Sequence, residues 1–281
     1  MLTEVTAGPY TIRGVSVGGV YTSLFVPELG ALLDAGIAAR SASAAPNIFI
    51  SHGHADHVGA LPTILGIRGL HQHTPPRIFV PRAAAEPLRV ALGALSELQR
   101  YRLEVELVEV EPGQRFALRA DLDVRVFRTH HTVPSVGYQF VRPVKKLKKE
   151  YLGLPGAEIA RRRADGDALF DHTEHLELAY ATDTLLRVID TNPSLLETRV
   201  LLLECSFIDE RKSLADSRAG CHIHLDELLE RAGDFKNEHL VLMHFSQIAT
   251  PQEVRETLAR RCPAEFYARL RPFVPRRNWP G

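Results

Sequence analysis

Residues 51–59 read SHGHADHVG and place His52, His54, Asp56 and His57 within six positions. Imidazoles two residues apart project to one side of extended backbone, so His52 and His54 can grip one ion. Asp56 and His57, one turn further round, can face a second. Four ligand-type side chains this close together point to divalent-metal chemistry. Three later segments offer the remaining donors: FRTHHTVPSVGY carries His130 and His131, YATDT carries Asp183, and LVLMHFS carries His244. Each polar residue follows an apolar run. Together with His52, His54, Asp56 and His57 they could form a two-metal site, one carboxylate bridging ions about 3.5 to 4 Å apart. Imidazole and carboxylate donors suit zinc and accommodate manganese or iron.

Such donors need strands that end at one edge. YTIRGVSVGGVYTSLFV reads as strand after strand, GALLDAG as a short apolar run, and NIFI as a buried strand leading into the histidines. The stretch ADHVGALPTILGIRGL has helical character, which puts Asp56 and His57 in or near a helix's first turn. RIFVP, EVELVEV, LDVRVFRT and SVGYQFV read as strands, with a helix at AAAEPLRVALGALSELQRY. In the second half LELAYATDT, TRVLLLEC and HLVLMHFS read as strands, and HLDELLERAG and PQEVRETLARR as helices. The alternation predicts an α/β sandwich over residues 1–281, with helices outside two sheets.

The chain's bulk properties exclude several classes. Its 281 residues, 45% hydrophobic and 24% charged, are those of a folded protein rather than a disordered one. Lys plus Arg and Asp plus Glu number 34 each, so net charge supplies no general attraction to nucleic acid or membrane, and a polyanion must be met by a local patch. The N-terminus has no signal-peptide pattern and no apolar run reaches spanning length, which leads us to expect a cytoplasmic protein with no membrane partner. Cys205, Cys221 and Cys262 form no C-x-x-C pair, so neither a disulfide framework nor a thiolate zinc site is expected.

The local patch is residues 142–169, RPVKKLKKEYLGLPGAEIARRRADGDAL. It carries Lys145, Lys146, Lys148, Lys149, Arg161, Arg162 and Arg163 around a Gly-Leu-Pro-Gly turn. It reads as an arm inserted outside the core. Two readings stand open: a solvated pair of charged helices, or a contact for a phosphate backbone.

The ordered set ISHGHADHVGALP, THHTVPSVGY, VKKLKKEYLGLPGAEI, AYATDT, LLLECSFIDE, CHIHLDEL and LVLMHFS spans nearly the whole chain. It resembles the metallo-β-lactamase fold, a four-layer αβ/βα sandwich, and within it the tRNase Z (RNase Z) endoribonucleases, in particular the short plant-type form. The resemblance implies His52, His54 and His131 on one metal ion, Asp56, His57 and His244 on the other, and Asp183 bridging. The family's ligand histidine stands directly before x-V-P-S-x-G-Y, which selects His131 over His130. Strand alternation independently lets only one of the pair face the site. The E-x-S-F glutamate and the following histidine map onto Glu204 and His222 as the group that protonates the leaving oxygen. His224 competes for that role, or else serves the start of the following helix. Asp56, Glu204, His222 and His224 are therefore the catalytic candidates.

The resemblance further implies a dinuclear zinc enzyme that removes the 3′ trailer of precursor tRNA, a homodimer, and an arm that clamps the tRNA away from the cut. A hydrolase of small phosphodiesters, lactones or thioesters on the same site is the rival reading. Asp34 in LLDAG is expected to support a ligand by hydrogen bonding. His71, His73, His172 and His175 are expected in surface loops. The chain departs from the family pattern in HFSQIAT, where HFSxRY is frequent, in Cys221, where glycine usually precedes the histidine, and in lacking an LGTG opening.

Overall fold

Strand alternation decides what each layer buries. In VLLLE, residues 200–204, Val200 and Leu202 face one apolar cluster while Leu201 and Leu203 face another. Repeated across the chain, this divides the core into three slabs. The computed structural model describes residues 2–280. A seven-stranded sheet contains β1 (Thr3–Ala7), β2 (Tyr10–Val17), β3 (Tyr21–Val26), β4 (Ala31–Leu33), β5 (Asn47–Phe49), β6 (Arg77–Pro81) and β7 (Glu106–Val110), in that order. A six-stranded sheet contains β8 (Arg115–Arg119), β9 (Leu122–Arg128), β10 (Val136–Leu147), β11 (Phe170–Ala181), β12 (Val200–Glu204) and β13 (His239–Met243), likewise in sequential order across the sheet.

The helices are α1 (Ala55–Val58), α2 (Leu61–Leu70), α3 (Arg82–Gln99), α4 (Gly156–Ala164), α5 (Val188–Thr191), α6 (Leu214–Ala219), α7 (Leu225–Glu230), α8 (Pro251–Arg261) and α9 (Ala264–Arg269). The middle slab joins the two sheets, with Phe49 stacked on Phe79 at 4.7 Å and edge-on to Tyr138 and Phe140. α2 and α3 cover the outer face of the first sheet, and α5, α7, α8 and α9 that of the second. The result is the expected four-layer metallo-β-lactamase sandwich.

Strand direction explains the site. β4, β5 and β6 are parallel, as are β11, β12 and β13, and β9 runs in the same sense as β11 because each is antiparallel to β10. The carboxyl ends of β5, β9, β11 and β13 therefore deliver His52, His131, Asp183 and His244 to one edge, where open α/β sheets place their ligands. Across that edge the His244 amide donates to Ser16 Oγ at 3.1 Å.

Some expectations change. The helical stretch after the first histidines breaks at Gly59 and Ala60 into α1 and α2. β1 and β8 carry no clear signal in the sequence because they are short sheet edges with polar outer faces. The basic arm is no helix pair. β10 and β11 stay paired from the core to Leu147 opposite Phe170, so residues 142–147 are strand, and a 3₁₀ turn at Lys149–Tyr151 followed by α4 caps the hairpin. His172 and His175, expected in loops, are exposed residues of β11 opposite Lys145 and Arg142. His71 and His73 are exposed after α2 as expected.

Candidate metal centre

His52 leaves β5 fully buried, its Nε2 3.0 Å from His54 Nδ1. His131 Nε2 lies 3.2 Å from the same atom. Asp183 Oδ2 completes this group, 3.8 Å from both His52 Nε2 and His131 Nε2. The other oxygen of the same carboxylate faces elsewhere: Oδ1 lies 3.5 Å from His57 Nε2 and 3.2 Å from His244 Nε2. Asp56 Oδ2 joins that second group 3.4 Å from His57 Nε2. In each of the sets His52–His54–His131–Asp183 and Asp56–His57–His244, the donor atoms lie within 4.8 Å of one another.

These donors fit divalent cations. His57 Nε2 and His244 Nε2 are buried with no hydrogen-bond partner, a costly state that a cation would relieve. Burial and the neighbouring imidazoles push His52 down to about 2, and burial also lowers His131 and His244. Each shift favours the neutral ring, the form that binds a cation. Burial opposes ionisation of Asp183, yet His244, His57, His52 and His222 around it hold its carboxyl below the ordinary range. His57 is opposed by burial too, but the charges of Asp34 and Asp183 raise it well above its usual value.

The backbone is strained where the donors need aiming. Asp34, Asp183, Cys221 and His244 have positive φ of 56°, 41°, 59° and 60°. Such conformations cost on the order of 1 kcal/mol or more each and persist only when the surroundings fix them. Gly36 contributes a close approach, since a Cβ there would fall 2.0 Å from the Asp56 carbonyl oxygen.

Beside the second group stands a buried carboxylate. Glu204 ends β12 and accepts from the Thr184 amide at 2.6 Å, the Ser206 hydroxyl at 2.6 Å and the Ile223 amide at 3.2 Å. His222 Nδ1 lies 3.1 Å from Glu204 Oε1. Burial lowers the basicity of His222, but Glu204 more than offsets it and raises the imidazole to about 9. The His222 imidazole thus sits against the cluster, its ring 5.5 Å from that of His131 and 5.6 Å from that of His244.

The pattern described as "Beta-lactamase superfamily domain" matches residues 32–245. tRNase Z TRZ1 of Arabidopsis thaliana is 34% identical over 252 residues, 89% of this chain and 90% of that one. The chain belongs to the tRNase Z family. The chloroplastic tRNase Z TRZ2 of the same plant is 35% identical over 89% of this chain and 72% of its own. In three dimensions the short form of human tRNase Z superposes with a TM-score of 0.59 at 17% identity, over 94% of this chain and 95% of that one, which speaks to the fold.

Within this tRNase Z chain His52, His54, Asp56, His57, His131, Asp183 and His244 converge, with Glu204 and His222 alongside. His130 turns away, its Nε2 3.1 Å from Thr191 Oγ1. His224 is not brought to the cluster: its Nδ1 accepts from the Asp226 amide at 3.1 Å as the N-cap of α7, and its Nε2 lies 3.1 Å from the Asp209 carbonyl oxygen. Both nitrogens are spent on structure. Of the seven arm cations, Arg161 and Arg162 share Glu158 at 2.9 Å, while Lys145, Lys146, Lys148, Lys149 and Arg163 form no ion pair among the described residues. Cys221 adopts the left-handed conformation that glycine would take freely.

Two serines join the site without having stood out in the sequence. Ser51 Oγ donates to Asp34 Oδ2 at 2.7 Å and lies 2.9 Å from His52 Nδ1. Ser206 Oγ, besides holding Glu204, lies 3.2 Å from His244 Nδ1 and 3.3 Å from His222 Nδ1. Asp34 Oδ2 also meets His57 Nδ1 and the Tyr180 hydroxyl, each at 2.6 Å. These contacts fix ring orientation and direct the opposite nitrogens of His52, His57 and His244 toward Asp183. The adjacency of each serine to its ligand segment, ISHGH and ECSF, was the available signal.

Proposed function

We propose that this protein is a metal-dependent endoribonuclease that removes the 3′ trailer from precursor tRNA by phosphodiester hydrolysis. The observation that carries the reading is Asp183, whose two oxygens face two separate sets of imidazoles in a chain of tRNase Z ancestry. His52, His54 and His131 would hold one divalent cation, Asp56, His57 and His244 the other, and Asp183 both. Zinc suits this donor set. When bound, the pair supplies charge stabilisation for the phosphate and a nucleophilic water at neutral pH.

The chain's own residues do the rest. Glu204 holds His222 through Nδ1 and keeps it protonated, so Nε2–H can donate to the departing ribose 3′-oxygen. That leaves a 3′-hydroxyl on the tRNA and a 5′-phosphate on the trailer. Lys145, Lys146, Lys148, Lys149 and Arg163 on the hairpin contact phosphates away from the cut, and such contacts position without reading sequence. We place Arg161 and Arg162 in the same patch with their charge shared by Glu158. A cytoplasmic homodimer completes the proposal. No described helix is long and apolar enough to cross a membrane.

The test is cleavage of an end-labelled precursor tRNA carrying a 3′ trailer. A cut just after the discriminator base, lost in Asp56→Ala and on chelation and restored by zinc, is the expected result. No cut, with hydrolysis of a small phosphodiester retained, would overturn it.

A further inference from the structure

Beside the cluster lies a cleft to which neither the metal ligands nor the proton donor gives an occupant. It encloses about 560 Å³, within the range that receives a nucleotide-sized ligand, and is lined by His131 and by Cys221, the neighbour of His222. Three arginines and one glutamate line it: Arg82, Arg128, Arg187 and Glu111. Arg82 is already paired, 2.8 Å from Glu111 and 3.7 Å from Glu109. Arg128 and Arg187 are exposed and form no ion pair among the described residues.

Both cations come from the loops that carry the donors. Arg128 is the last residue of β9, three before His131, and Arg187 stands four after Asp183. The Leu185 amide donates to the His130 carbonyl at 3.1 Å, joining the two loops, so the backbone that carries both arginines is held relative to the cluster. No Phe, Tyr or Trp lines the cleft, so it offers no stacking platform for a base. Among apolar side chains such as Val110, Val133 and Leu185 it offers positive charge and hydroxyls, the requirements of a phosphate backbone.

We propose that Arg128 and Arg187 bind the phosphodiester adjacent to the scissile one, on the tRNA side. This rests on the reading of the site as a tRNA 3′ nuclease. The side follows from two residues of the cleft wall, Cys221, which precedes His222 in the chain, and His131, whose ring is 5.5 Å from that of His222: His222 serves the departing 3′-oxygen, so the chain bearing that oxygen leaves through this opening. The two arginines are positioning residues. They hold the neighbouring linkage so that the scissile phosphate meets the cluster, in every tRNA alike.

The experiment uses the metal-loaded protein, its Arg128→Ala/Arg187→Ala and Arg128→Lys/Arg187→Lys variants, and three precursor tRNAs. One is unmodified, one carries an uncharged methylphosphonate at the linkage 5′ of the cut, and one carries it 3′ of the cut. Metal content and melting temperature establish that the variants are folded. On unmodified RNA the alanine variant should lose about tenfold to a hundredfold in kcat/KM, the scale of a lost charged hydrogen bond, and the lysine variant should recover part of it. The slope of log(kcat/KM) against log salt should become shallower by about 0.7, one phosphate's worth. With the 5′ methylphosphonate the alanine penalty should vanish. Full activity of the alanine variant, a penalty that survives 5′ neutralisation, or one that disappears with 3′ neutralisation would each overturn the assignment. Failure of the unsubstituted protein to cut any precursor would overturn the underlying reading and this one with it, and it would show before any variant is compared.

Discussion

The donor cluster and the basic hairpin are built on opposite principles. In the cluster His52, His57, Asp183, His244 and Glu204 are buried, the second nitrogens of His52, His57 and His244 are each held by a hydrogen-bond partner, and strained backbone at Asp34, Asp183 and His244 is held by its surroundings. On the hairpin, Lys145, Lys146 and Lys149 stand in solvent with no partner of opposite charge among the described residues, and α4 buries nothing. Charge stabilisation in a reaction requires dipoles and ligands fixed in advance, because reorganising them during the reaction would cost what they supply. Phosphate contacts far from the cut tolerate motion, since a long lysine stem can follow a backbone through several angstroms.

The contrast is sharpened most by Asp183→Asn. An amide keeps the volume but cannot serve both imidazole sets as a charged oxygen pair, so activity on precursor tRNA should fall by about a thousandfold or more, with metal content measured by mass spectrometry falling alongside. A variant that keeps two metal ions and near-normal turnover would break the comparison at its centre. Next comes His222→Ala. Loss of the proposed proton donor should lower kcat by about 10² to 10⁴ while the metal content stays at the unsubstituted level, separating proton delivery from ion binding.

The hairpin should behave differently. Replacing Lys145, Lys146, Lys148 and Lys149 together by Ala should raise KM for precursor tRNA with little change in kcat. The salt slope should flatten by up to about 3, or about 0.7 for each phosphate no longer neutralised. A fall in kcat at saturating RNA would show that the hairpin helps arrange the reacting groups after all. The smallest effect is expected from His224→Ala, which removes an N-cap and should cost about 1 kcal/mol of stability, read as a few degrees of melting temperature with kcat intact. A large loss of kcat there would return His224 to the reacting groups.

Legibility differed along the same divide. His52, His54, Asp56 and His57 declared themselves because one loop carries all four, and the spacing alone fixes which can share an ion. His131, Asp183 and His244 were legible as polar residues ending apolar strands, and resemblance ordered them. The supporting serines were not legible. Ser51 and Ser206 act through their distance to Asp34, Glu204 and the rings, and a serine's type says nothing of its partners.

His224 shows the limit from the other side. Its one-residue spacing from His222 left both roles open, and only the capping contact with Asp226 and the Asp209 carbonyl separated them. The hairpin's basic run was plain in the sequence, but its strand character was not, because residues 142–147 owe their extension to pairing with residues 170–175 rather than to any alternation of their own.

The sequence by itself determined which imidazoles and carboxylates were candidates for a metal site and the layered α/β architecture, from residue identity and local periodicity, and the family, from the order of its motifs. The tertiary structure alone decided that the two oxygens of Asp183 face different imidazole sets, that Glu204 and Ser206 hold His222, and that Arg128 and Arg187 line one cleft beside them. Those facts depend on angstrom distances between strand ends far apart in the chain. The packing of two sheets sets such distances, and no local pattern of residues encodes them.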